Sequence, residues 1–124
     1  MAKTKILVIE DDKSLVNILK QAFDSKEFEI ILAVDAKVGL EKVKSAKPDL
    51  VILDILLPGE SGFEVLDNIK KDEETKDTPV MILSNLGQDR EIKTGLSMGA
   101  EDYMVKADFT IDEVVEKVKK LLKK

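Results

Sequence analysis

Leu50-Val51-Ile52-Leu53-Asp54 is the stretch whose reading decides the fold. Four apolar residues, two of them β-branched, end in a carboxylate. A continuous apolar run of this length fits a strand buried on both faces, as in a parallel sheet covered by helices. Such a strand puts the Asp54 charge where the sheet opens to solvent. In open α/β sheets that edge is where ligands bind. Taken alone, Asp54 reads as well as a mere strand stop or turn cap as it does as a ligand-site residue.

On the N-terminal side, Lys5-Ile6-Leu7-Val8-Ile9 is a second buried-type run, and it ends in Glu10-Asp11-Asp12. Leu15, Ile18, Leu19, Ala22 and Phe23 then follow the spacing of an amphipathic helix, with Asp12 as its cap. Glu29 to Val34 is the next strand. Asp35 caps a helix with Ala36, Leu40 and Val43 on one face. Lys47-Pro48 ends that helix, because the residue before proline is pushed out of the α region.

On the C-terminal side, Ser61 and Glu64 match a capping box, and Phe63, Leu66 and Ile69 face the sheet. Lys70 to Asp77 is a charged run, read as an exposed helix end and loop. Thr78-Pro79 leads into the strand Val80 to Ser84. A weak helix is expected over 89–98, where an interior Gly95 costs ~1 kcal/mol relative to alanine. Gly99 supplies a left-handed stop. Asp102 to Lys106 is a short strand. Thr110 and Glu113 form a second capping box, ahead of a stripe of Ile111, Val114, Val115, Val118, Leu121 and Leu122.

The pattern is β-α five times with short connections, which predicts a single domain over 1–124. The fold class is α/β: a doubly wound (βα)5 sandwich around a five-stranded parallel sheet. Right-handed crossovers leave few topologies. The flavodoxin-like order 2-1-3-4-5 is expected, with its switch point between strands 1 and 3.

Composition narrows the chemistry. The chain has neither Cys nor His, which removes Ser-His-Asp and Cys-His catalysis, thiolate metal sites and most zinc sites. The net charge of −5 and the 4% aromatic content argue against general nucleic-acid binding. Lys117, Lys119, Lys120, Lys123 and Lys124 read as a solvated helix end, where the helix dipole favours cations. No apolar run approaches the ~20 residues of a membrane span, and Met1 to Lys5 lacks the apolar region of a signal peptide. A cytoplasmic location is expected.

The strand ends are most informative when taken together. Strand 1 delivers Glu10 and Asp11, strand 3 Asp54, strand 4 Ser84 and strand 5 Lys106. In a parallel sheet these ends share one edge. Carboxylates held close repel one another unless a cation sits among them, and oxygen-only donors suit Mg²⁺. Lys106 adds a positive charge and Ser84 a hydroxyl, a set suited to a phosphoryl group on Asp54.

These residues resemble the receiver domains of bacterial two-component response regulators. The resemblance runs from Ile6 to Leu122. It rests on Ile9-Glu10-Asp11, Leu53-Asp54, Pro58, Gly62, Leu83-Ser84, Met98-Gly99-Ala100, and Tyr103 followed by Lys106. The resemblance implies that Asp54 accepts a phosphoryl group from a sensor histidine kinase, a phosphotransfer protein or acetyl phosphate. It implies that Asp11, Asp54 and the main-chain carbonyl of Leu56 bind Mg²⁺, with Glu10 acting through water. Ser84 and Lys106 would hold phosphoryl oxygens, and Tyr103 would be the switch aromatic. It also implies catalysis only of the domain's own phosphorylation and dephosphorylation. A downstream protein would bind the face made by helix 4, strand 5 and helix 5, within 89–122.

Three departures stand out. Ala107 follows Lys106 where most members have proline. A cis bond without proline would cost ~3 kcal/mol, so a trans bond and a different loop are expected. Asn85 follows Ser84 where a smaller residue is usual. No effector domain follows the last helix, which leaves a stand-alone receiver and a piece of a longer protein both open.

Other phosphate-handling classes fit less well. A haloacid-dehalogenase-type enzyme needs a second Asp two residues after Asp54, where Leu56 stands. A P-loop binder needs a glycine-rich loop ending in Lys-Ser or Lys-Thr. A flavodoxin-like cofactor binder wants a Ser/Thr/Gly loop where this chain has acids. A pseudo-receiver scaffold would not need Asp11, Asp54, Ser84 and Lys106 together.

Overall fold

A computed structural model describes residues 2–123. Its elements alternate strictly. β1 (Thr4–Ile9), α1 (Lys13–Ala22), β2 (Phe28–Ala33), α2 (Ala36–Ala46) and β3 (Leu50–Leu53) form the first half. α3 (Gly62–Lys71), β4 (Val80–Ser84), α4 (Asp89–Ser97), β5 (Asp102–Val105) and α5 (Ile111–Leu122) form the second, with a 3-10 turn at Lys106–Asp108 before α5. All strand pairs are parallel, in the expected order β2-β1-β3-β4-β5.

The period-2 geometry of the strands divides the core into two layers. Leu7, Ile9, Val51, Leu53, Val80, Ile82 and Tyr103 bury against the side that carries α2, α3 and α4. Ile6, Val8, Leu50, Ile52, Met81, Leu83 and Met104 bury against α1 and α5. All four residues of β3 are buried, as a strand covered on both faces must be. Each fully buried Leu, Ile or Val contributes about 1.5–3 kcal/mol of transfer free energy.

Several local expectations need correction. Ile18 is 47% exposed; α1 buries Val16 and Leu19 instead. Val16 and Ile18 lie on opposite flanks of the face centred on Leu19, and only the Val16 flank packs into the core layer shared with α5. β2 starts and ends one residue earlier than the expected Glu29–Val34 run; Phe28 is buried and Val34 is exposed. Phe28 stacks edge-on against Phe23, with ring centroids 5.1 Å apart. Ser61 caps α3 through the Phe63 amide at 3.1 Å, without the reciprocal Glu64 bond of a capping box. Val65, not Phe63, is the fully buried partner of Leu66 and Ile69.

The charged run 70–77 is more ordered than a solvated loop. Thr75 is buried, and its hydroxyl donates to the Ile69 carbonyl at 2.7 Å. Lys70 reaches the Thr78 carbonyl at 2.9 Å. α4 ends at Ser97, and its start carries a bond missed in the sequence: the Glu91 carboxylate accepts from the Gln88 amide at 3.1 Å. Gly99 takes the left-handed conformation, with φ 107°. The capping box at Thr110 and Glu113 is present. Lys119 and Lys120 lie in the last turn of α5, Lys117 pairs with Asp102 at 3.1 Å, and Lys124 lies outside the described residues. Among the described residues every peptide bond is trans, including the one before Ala107.

Candidate functional site

Strand register builds the site. Ile9 is level with Leu53, so Glu10 and Asp54 leave adjacent strands side by side. The Asp54 amide donates to the Ile9 carbonyl at 3.0 Å, which carries the β1–β3 ladder one residue past the strand. Across β4, Ser84 is level with Val105, and Lys106 comes next. Glu10, Asp11, Asp54, Ser84 and Lys106 therefore all sit at the C-terminal edge of the sheet, on both sides of the switch point.

The side chains converge further than the backbone requires. Lys106 Nζ lies 2.7 Å from Glu10 Oε1 and 3.0 Å from Asp54 Oδ2. Asp54 Oδ1 accepts from the Leu56 amide at 3.0 Å, and Glu10 Oε2 accepts from the Asp12 amide at 3.1 Å. Glu10 and Asp54 are buried, whereas Asp11 is exposed. One oxygen from each of the three acids lies within 4.8 Å of the others. Three convergent carboxylates without nitrogen or sulfur donors fit a hard divalent cation such as Mg²⁺.

The electrostatics follow from burial. Desolvation pushes the Glu10 carboxyl up to about 7, against the opposing pull of the Lys106 and Asp12 hydrogen bonds. Burial alone would lower the Lys106 ammonium. Its bonds to Glu10 and Asp54 outweigh that and raise it. Lys106 stays charged, and Glu10 is the group poised to titrate.

Ser84 and Tyr103 share a partner that the sequence did not suggest. Ser84 is fully buried, and its Oγ accepts from the Leu86 amide at 3.3 Å. The Tyr103 ring is buried, and its hydroxyl donates to the Leu86 carbonyl in a short hydrogen bond. Burial, then the nearby Glu91 and Asp54 charges, raise the phenol above its usual value.

Gly62 explains itself sterically. A Cβ there would stand 2.4 Å from the Asp54 carbonyl oxygen and 2.6 Å from Ile55 Cα. Only glycine lets the first turn of α3 lie against the backbone that carries Asp54. Leu56 is 54% exposed, and Leu86 is partly buried against the core.

The model of the response regulator receiver domain matches residues 6–119. The chain belongs to the response regulator receiver domain family. This receiver domain is 33% identical over 120 residues to the DNA-binding dual master transcriptional regulator RpaA of Synechocystis, covering 97% of the chain and 49% of that protein. It is equally similar, at 33% over 120 residues, to the alkaline phosphatase synthesis transcriptional regulatory protein PhoP of Bacillus subtilis, again covering 97% of the chain and 49% of the relative. The chain thus spans about half the length of these curated relatives. Among solved structures, the receiver domain of Francisella response regulator 1452 superposes with a TM-score of 0.87 at 31% identity, covering 98% of both chains. The BeF3-activated N-terminal receiver domain of Klebsiella pneumoniae RstA gives 0.87 at 25%, covering 97% of this chain and 99% of that one. No helix among the described residues is long and apolar enough to cross a membrane.

Proposed function

We propose that this receiver domain takes a phosphoryl group on Asp54 from a histidine kinase or phosphotransfer protein, and so switches its 89–122 face for a downstream protein. The observation that carries the proposal is the Lys106 ammonium bonded to both Glu10 and Asp54 at the sheet's C-terminal edge.

The chemistry is substitution at phosphorus. An Asp54 carboxylate oxygen attacks, the P–N bond of the donor phosphohistidine breaks, and the leaving imidazole nitrogen keeps the electron pair and takes a proton. Such transfers need positioning and charge neutralisation more than covalent help. The Leu56 amide fixes Asp54 Oδ1, which aims the carboxylate. Lys106 stands within reach of phosphoryl oxygens and offsets their charge. Glu10, Asp11 and Asp54, with the Leu56 carbonyl, would hold Mg²⁺, which when bound supplies a Lewis acid to those same oxygens.

The Ser84 hydroxyl donates to one phosphoryl oxygen and gives up its link to the Leu86 amide. Leu86 also accepts from Tyr103, so a change at Ser84 reaches the ring and α4 through one residue. New phosphate oxygens act in this way as strong local acceptors with a wider readout. The receiver catalyses only its own phosphorylation and dephosphorylation, in the cytoplasm. The reading is tested by incubating the chain with acetyl phosphate and Mg²⁺ and then adding hydroxylamine, which converts an acyl phosphate into a hydroxamate. Peptide mass mapping should place that hydroxamate on Asp54; a hydroxamate elsewhere, or none, would overturn the assignment.

A further inference from the structure

Helix α4 rests on β5 with no side chain between them at residue 95. Gly95 is buried in the inner face of the helix. A Cβ added there would stand 2.7 Å from Ile82 Cδ1, 2.9 Å from Tyr103 Cδ2 and 3.3 Å from Tyr103 Cε2. Contacts under 3 Å require something to move. The Ile82 methyl ends a flexible chain and can turn aside. The Tyr103 ring is rigid, and its hydroxyl is tied to the Leu86 carbonyl, so the ring can retreat only by rotating about its first side-chain bond and releasing that tie.

A second glycine makes the same kind of contact one loop earlier. A Cβ on Gly87 would stand 2.6 Å from Val105 Cγ2 and 2.8 Å from Val105 Cγ1. The segment from β4 to α4 is thus seated on β5 at two bare positions, over Val105 and over Tyr103. Glycine weakens a helix interior, and α4 bears that weakness at the point where close contact with the ring demands it.

We propose that Gly95 is a positioning residue for Tyr103. Its bare backbone forms one wall of the slot that holds the ring inward, and the Leu86 carbonyl latches the hydroxyl at the slot's end. The side chain at 95 sets how readily the ring occupies the slot, and hence how tightly ring position is tied to α4. The value of this for signalling rests on the proposed function. The seating does not, and it can be read with no phosphoryl donor present.

The chain has a single tyrosine and no tryptophan, so intrinsic emission reports on Tyr103 alone. Acrylamide quenching of that emission measures how exposed the ring is. Gly95→Ala should raise the quenching constant severalfold while helix content by circular dichroism is kept. Unchanged quenching in a folded Gly95→Ala protein would overturn the proposal. If Gly95→Ala alone does not fold, the double variant Gly95→Ala/Tyr103→Leu decides. Recovery of folding once the ring is gone supports a clash between methyl and ring, and failure of the double variant as well overturns it. Failure of Asp54 to take up phosphate would leave this result untouched.

Discussion

Lys106 Nζ lies closer to Glu10, at 2.7 Å, than to Asp54, at 3.0 Å. The lysine is therefore shared, and Glu10 helps hold it over the strand-3 carboxylate. Breaking a partly buried charge pair from one side leaves an uncompensated charge, which costs more than the pair itself contributes.

Glu10 is raised from 4.5 to about 7 in the folded chain, so between those values the folded state binds more protons than the unfolded one. Metal-free stability should then fall as pH rises through roughly 5–7, by at most about 1.4 kcal/mol per pH unit. Asp72, held low by Lys44, would lose its contribution only below its ordinary 3.8, outside that window. Denaturant unfolding in EDTA at several pH values should show the slope in the wild type and not in Glu10→Gln. The same slope in both would assign it to another group.

Mg²⁺ should raise the thermal midpoint, because a cation bound only by the folded state stabilises it by mass action and relieves carboxylate repulsion. At a concentration one hundred times Kd the gain would be about 2.7 kcal/mol. Asp11→Asn should weaken the response with little effect on the metal-free midpoint, since Asp11 is exposed. Calorimetry that shows no Mg²⁺ dependence would count against the acidic site.

Lys106→Ala should leave the sheet intact and uncouple the site from α4. Amide shifts of residues 89–97 on adding beryllofluoride would shrink in the variant. A full response without the lysine would show that the Ser84–Leu86–Tyr103 path does not need it.

Leu56 governs a fourth expectation. Its side chain is exposed beside Asp54 and cannot orient an attacking water. Asparagine there can, and orientation is a large part of such barriers. Leu56→Asn should hasten phosphate loss, tenfold for each ~1.4 kcal/mol removed from the barrier. Leu86→Glu adds a polar group two residues past Ser84, but Leu86 is partly buried, so its effect should be smaller and come with lost stability. Decay of the phosphorylated mass after donor removal measures both. A wild-type decay as fast as that of Leu56→Asn would remove the leucine from the account.

The sheet was legible because buried parallel strands leave unbroken apolar runs, and the strand-end residues followed from where those runs stop. Helix faces were less so. Ile18 and Val16 are alike in sequence, and only the packing of α1 shows which one is covered. The Lys106–Glu10 pair was hidden because a long side chain can reach several partners from one Cα. In sequence Gly95 shows only as a weak point in a helix, and its close approach to Tyr103 is a tertiary fact with no local signature. The hydrogen bonds of Leu86 to Ser84 and Tyr103 have no sequence signature for a similar reason: they use its backbone atoms, which any residue carries.

The signalling function proposed for this domain depends on Asp54 being the phosphoacceptor. Intact-mass measurement after incubation with acetyl phosphate and Mg²⁺ tests it most directly. The wild type should gain one phosphoryl group, and no gain should appear when EDTA replaces Mg²⁺ from the start or in Asp54→Asn. A wild type that gains no mass, or an Asp54→Asn variant that gains it equally, would rule out Asp54 as the acceptor.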